Sequence, residues 1–128
     1  MQGLVDTHSI LWYADNDQRL SAVAFAILAD PANILRLSVA SLWEIAIKVS
    51  VGKLQLGMPY RPFVDKLLAD YDLQMLPIDL SHLTTVSALP MHHRDPFDRL
   101  IIAQALAEGL PVVSADPVFD RYGVQRIW

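Results

Sequence analysis

The chain has 128 residues, 53% of them hydrophobic and 19% charged, with a formal net charge of −4. That length suits one domain with a real hydrophobic core, and the acidic balance argues against a broad electrostatic grip on duplex DNA. Cysteine is absent, which excludes disulfides and thiolate metal sites and leaves the redox compartment unread. No uninterrupted apolar stretch is long enough to span a bilayer, and no basic start precedes an apolar signal core, so the expectation is a cytoplasmic protein without membrane association. The mean hydropathy is +0.30, and part of that apolar surplus is expected to cover a protein interface.

In chain order, Gly3 to Asp6 reads as a first strand, followed by a helix from Thr7 carrying Ile10, Leu11 and Trp12. Asp15-Asn16-Asp17 interrupts it, and Ser21 caps an apolar helix to about Ala29, which Asp30-Pro31 ends. Ile34 to Val39 reads as a second strand, then a helix from about Ala40 to Val51 stops at Gly52. A third helical block covers Tyr60 to Tyr71, a strand Leu73 to Ile78, and a short helix Leu80 to Ala88. Asp95-Pro96 opens a helix that ends before Gly109. Pro111 to Ser114 is another strand, then come a brief helix around Val118 to Tyr122 and a last, edge strand at Val124 to Ile127. Strands separated by helices imply an α/β fold, with a central parallel sheet of four to five short strands and helices on both faces.

Four carboxylates stand in apolar or element-end surroundings. Asp6 ends the first strand, Glu44 lies within Leu42-Trp43-Glu44-Ile45-Ala46-Ile47, Asp98 opens an apolar helix, and Asp116 follows a strand. In parallel sheets, binding sites form beyond the carboxyl ends of the strands, so the geometry permits all four to converge. A crowded set of this kind calls for a hard cation such as Mg²⁺ or Mn²⁺, raises the pKa of at least one member without metal, and suits a phosphate ester. Each acid also has a plainer reading. Asp6 can cap the following helix, and Asp95-Pro96-Phe97-Asp98 fits an N-cap, a first-turn proline and an acid favoured by the helix dipole. Asp116 before Pro117 can cap or turn. Glu44 can pair with Lys48 at i,i+4, but its helix offers little polar face to hold such a pair in solvent.

Supporting candidates are Thr7 beside Asp6, Ser114 two residues before Asp116, and Asp95, either as helix cap or as positioner of a metal-bound water. Arg99 and Lys48 are candidates for phosphate contacts or, alternatively, salt-bridge partners. His92 and His93 are adjacent, not on one helical face, so a zinc pair is not expected. His8 reads as a helix-surface histidine, and Asp65, Asp70, Asp72 and Asp79 as helix-edge and loop acids.

Four blocks together resemble a known family: Leu4-Val5-Asp6-Thr7-His8, Ser41-Leu42-Trp43-Glu44-Ile45-Ala46-Ile47-Lys48, Asp95-Pro96-Phe97-Asp98-Arg99-Leu100, and Val113-Ser114-Ala115-Asp116-Pro117. In order and over nearly the whole chain, with Gly52-Lys53-Leu54 after the glutamate helix, they are similar to PIN domains, and more narrowly to VapC-type toxins of bacterial toxin–antitoxin pairs. The resemblance implies a single PIN-like domain over residues 1–128 and an Mg²⁺- or Mn²⁺-dependent endoribonuclease, inhibited by a cognate antitoxin and usually dimeric. It makes Asp6, Glu44, Asp98 and Asp116 the metal-binding and catalytic acids, with Ser114 in the place of a site-lining hydroxyl. Asp6 and Asp98 would ligate the principal ion, Glu44 directly or through water, and Asp116 would complete a second site or orient water. Two other classes stay open on the residues alone. One is a different Mg²⁺-dependent phosphate-handling α/β domain, though the dehalogenase-like pattern fails because position 8 is His8. The other is a non-catalytic interaction module whose acidic pocket holds a partner's arginine.

Overall fold

The computed structural model describes residues 1–128. Five strands form one sheet: β1 (Gln2–Val5), β2 (Ile34–Ser38), β3 (Gln74–Leu76), β4 (Val112–Val113) and β5 (Arg126–Ile127). Their order is β3-β2-β1-β4-β5, and every pairing is parallel. The six α-helices are α1 (Thr7–Ala14), α2 (Ala22–Ala29), α3 (Val39–Ser50), α4 (Tyr60–Ala69), α5 (Leu80–Ala88) and α6 (Pro96–Glu108). The expected helix near 118–122 is a 3-10 helix over Pro117–Tyr122.

Alternation along the strands builds two cores, because successive side chains point to opposite sheet faces. Val5, Leu35, Leu37 and Val113 pack with Ile10, Leu28, Ile45, Phe63 and Leu67 from α1 to α4. On the other face Leu4, Leu76 and Val112 pack with Leu100, Ile101 and Ile102 of α6 and with Phe119. The two-residue β4 is apolar on both sides because it is covered on both.

Element ends fall within two or three residues of their sequence expectation, and the differences have local causes. The second strand ends one residue early because the Ser38 hydroxyl accepts from the Ala40 N–H at 3.0 Å, so β2 runs straight into α3. β3 and β4 are shorter than the apolar runs that announce them, since only their central residues find ladder partners. Gly109 closes α6 at φ 66°, a left-handed turn that costs glycine least.

With β1 central, the chain moves outward through β2 to β3 in one direction and through β4 to β5 in the other. The reversal places a crevice between the carboxyl ends of β1 and β4, the usual site location in open α/β sheets. Asp6 and Ser114 are the first residues beyond those two ends.

Candidate active site

Asp6 is 3% exposed and caps α1, its Oδ1 accepting from the Ser9 N–H at 2.9 Å. Burial pushes its carboxyl above the usual range, and hydrogen bonds from Ser114 and Ser9 pull against that. Thr7 and Ser41 are buried beside it, the threonine hydroxyl donating to the Ser41 hydroxyl at 2.9 Å and tying the start of α1 to α3. The Ser114 hydroxyl also accepts the Asp116 N–H at 3.1 Å, so one serine serves the segments after both strands.

Glu44 is equally buried, at 3% exposure. The i,i+4 pair with Lys48 forms, Nζ to Oε2 at 2.8 Å, but not on a solvated face. That leaves Oε1 buried with no hydrogen-bond partner. An unpaired, buried carboxylate oxygen is costly and uncommon.

Asp98 faces the rest of the cluster. Its carboxyl is pushed up to about 7, first by burial, then by the charges of Asp95 and Asp6, with Glu44 adding to them and His93 opposing. Asp95 caps α6 as its sequence position suggests, Oδ1 accepting from the N–H groups of Phe97 at 2.8 Å and Asp98 at 3.1 Å. Asp116 divides its two oxygens. Oδ1 caps the 3-10 helix through the Val118 N–H at 3.0 Å, while Oδ2 meets His93 Nε2 at 3.0 Å. The capping readings and the clustering reading therefore coexist, since a cap uses only part of a carboxylate's acceptor capacity.

His93 was not among the site candidates. Its Nε2 lies 3.0 Å from Asp98 Oδ2 as well as from Asp116 Oδ2. Its Nδ1 accepts the Asp95 N–H at 3.2 Å, which places the proton of the neutral ring on Nε2, aimed at both carboxylates. His93, Asp98 and Asp116 bring three potential ligand atoms within 4.8 Å of one another. With its Nδ1 held as an acceptor, however, the imidazole is set to orient the acids and not to offer Nε2 as a lone pair to metal. The only local sequence signal is a histidine two residues before a capping Asp-Pro, and the pair His92-His93 distracts from it.

The loop that carries His93 is fixed by the Tyr122 hydroxyl. It accepts from the His92 and His93 N–H groups at 3.0 and 2.8 Å and from Arg99 at 3.2 Å, and donates to the Pro90 carbonyl at 2.9 Å. Arg99 also donates to the carbonyls of Pro90 at 2.8 Å and Leu89 at 3.4 Å. Its guanidinium is a strut between α6 and the end of α5, its two Nη groups on carbonyls and on the Tyr122 hydroxyl, and it makes no salt bridge. Lys48 is likewise engaged, on Glu44. His8 is exposed at the start of α1.

A second cluster, Asp79, His82 and Glu108, also brings three potential ligand atoms within 4.8 Å. His82 is fully buried between α5 and α6, accepting the Asp79 N–H on Nδ1 at 3.1 Å and meeting Glu108 Oε1 through Nε2 at 2.9 Å. Asp79, a helix-edge acid by its sequence position, is the N-cap of α5 in a reciprocal capping box.

Acidic side chains thus collect at the mouth of a parallel α/β sheet. The chain belongs to the PIN domain family, whose model matches residues 3–125. It is 32% identical over 114 residues to Ribonuclease VapC22 of Mycobacterium tuberculosis, covering 88% of this chain and 85% of that protein. Among solved structures it resembles VapBC2 from Rickettsia felis bound to a promoter DNA fragment, with a TM-score of 0.74 and 16% identity over 99% of this chain and 98% of that one. It also resembles VapBC-5 of Mycobacterium tuberculosis, a member of the VapBC family of toxin–antitoxin systems, with a TM-score of 0.64 and 21% identity over 98% and 97% of the two chains.

Proposed function

We propose that this protein is a divalent-metal-dependent endoribonuclease and the toxin of a toxin–antitoxin pair, restrained by a cognate antitoxin. The observation that carries the metal reading is Glu44 Oε1, buried and unpartnered in a cluster where Asp98 already carries excess negative surroundings. A cation answers both costs at once. Ribonuclease action and the antitoxin partner are supported by the named relatives.

Asp6, Glu44, Asp98 and Asp116 would hold Mg²⁺ or Mn²⁺. Bound there, the ion supplies Lewis-acid polarisation of a phosphoryl oxygen and a lowered pKa for the attacking water. The chain's own contribution is orientation. Lys48 fixes the Glu44 side chain through Oε2 and leaves Oε1 for the pocket. His93 holds Asp98 and Asp116 in register through one N–H, and Tyr122 holds the His93 loop. The helix caps at Asp6 and Asp95 fix where α1 and α6 start, and therefore where the acids point.

The exposed Trp43 and Ile47 on α3, with Val51 at its C-cap, support a protein interface, consistent with a homodimer or an antitoxin contact. No helix is long and apolar enough to cross a membrane. The test is incubation of purified protein with cellular RNA, with and without Mn²⁺, followed by mapping of cut ends. Metal-dependent cuts made by the parent and not by Asp98→Asn are expected. Equal cleavage by that variant would sink the site assignment, and absence of cleavage by the parent would sink the function.

A further inference from the structure

Asp98 stands between two kinds of neighbour. Asp6 and Glu44 repel it, and Glu44 Oε1 is buried without any donor. His93 offsets that repulsion from the other direction. Its Nε2 donates to Asp116 Oδ2 at 3.0 Å, and Asp98 Oδ2 lies at the same distance from the same nitrogen. One set of carboxylate oxygens is therefore unanswered, and the other already faces a positively polarised hydrogen.

That hydrogen is fixed in place. Moving it to Nδ1 would set two hydrogens against each other, because Nδ1 accepts the Asp95 N–H at 3.2 Å. The ring is also held. Its backbone N–H donates to the Tyr122 hydroxyl at 2.8 Å, and it stands edge-on to the buried Phe119 ring, 6.4 Å between centres. Asp116 is pinned as well, by Oδ1 on the Val118 N–H and by its own N–H on the Ser114 hydroxyl at 3.1 Å.

Mg²⁺ takes its oxygens at about 2.0–2.1 Å, so an ion joining the two Oδ2 atoms would lie within roughly 3 Å of Nε2 and against its hydrogen. A dication and a polarised N–H cannot share that space. The imidazole answers the two acids without adding a second Lewis acid.

We infer that the His93 N–H stands in for a second cation between Asp98 and Asp116, so that the centre takes one divalent ion per chain, on the Asp6–Glu44 side. Asp116 is then left to orient water at that single ion. The inference rests on the metal-nuclease reading and counts its ions.

The experiment counts Mn²⁺ bound per full-length chain at saturation by equilibrium dialysis, with electron paramagnetic resonance of the bound ions. Each protein is compared with the same protein carrying Asp98→Asn. Only ions lost with Asp98 are scored, which leaves the Asp79–His82–Glu108 group out of the count. One ion is expected for the parent. His93→Ala should raise the count to two and give a spectrum broadened by coupling between ions roughly 3.5–4 Å apart. His93→Gln, which keeps an N–H donor, should return the count to one. A merely structural histidine predicts lower stability or affinity in His93→Ala with the count still at one, and that result overturns the inference. Two ions in the parent overturn it too, while the nuclease reading survives. A parent that binds none removes both. If His93→Ala does not fold, the parent's own count decides between one ion and two.

Discussion

Two histidine–carboxylate clusters in this molecule share the same wiring and have opposite consequences. In each, a backbone N–H donates to Nδ1, from Asp79 to His82 and from Asp95 to His93, so the ring proton sits on Nε2 facing acid. Around His82 every ring atom is satisfied and the acids lie outward, with Asp79 exposed and its carboxyl held below the usual range by Ser81 and the His82 N–H. Around His93 the acids lie inward, Asp98 is lifted to about 7, and Glu44 Oε1 has no partner. The presence of histidine and carboxylate together therefore says little. Chemistry is to be sought where the charge is left unanswered.

The comparison can be broken most decisively by activity. Asp98→Asn should lower the single-turnover rate of RNA cleavage by at least about 100-fold, while Glu108→Gln should leave it within twofold. The reverse result would exchange the roles of the two clusters. Next in size is stability. His82→Ala removes a fully buried ring and strands the Asp79 N–H, so it should cost about 2–4 kcal/mol in denaturant unfolding without changing metal binding per folded molecule.

Metal addition sharpens the contrast further. Mn²⁺ at a hundred times its dissociation constant should stabilise the parent by about 2.7 kcal/mol, and do so equally in Glu108→Gln but not in Asp98→Asn. The last contrast is in pH. The folded chain holds a proton on Asp98 that the unfolded chain releases, because the pKa rises from 3.8 to about 7. The Asp98 contribution to metal-free stability is therefore fullest below about pH 4, declines as pH rises from there to about 7, and is gone beyond. Asp6 acts in the same direction. Thermal melts of Asp98→Asn across that window should show a shallower decline, and a parallel curve would refute the assigned cause.

Most of the architecture was legible before any coordinates because its signals are local. Ser21 and Asp95 cap helices where their spacing says they should, and the runs at 34–38 and 112–113 become strands. The acid cluster was legible in part, since Glu44 within an apolar helix admits few innocent explanations. What escaped depends on long-range geometry. Tyr122 and Pro90 are 32 positions apart, and nothing near either residue announces their hydrogen bond. His93 reaches Asp116 across 23 positions. Arg99 meets the Pro90 and Leu89 carbonyls nine and ten positions before it, contacts that its own surroundings in the sequence do not announce.

The Tyr122 clamp has a consequence for synthesis. Asp116, Tyr122 and the outermost strand β5 all follow β4 in chain order, yet the first acid and the sheet centre come from β1. A nascent polypeptide that has emerged only as far as α6 therefore has Asp6, Glu44 and Asp98 but neither the fourth carboxylate nor the hydroxyl that seats His93. On this topology the proposed acidic site would not be complete until translation has passed Tyr122.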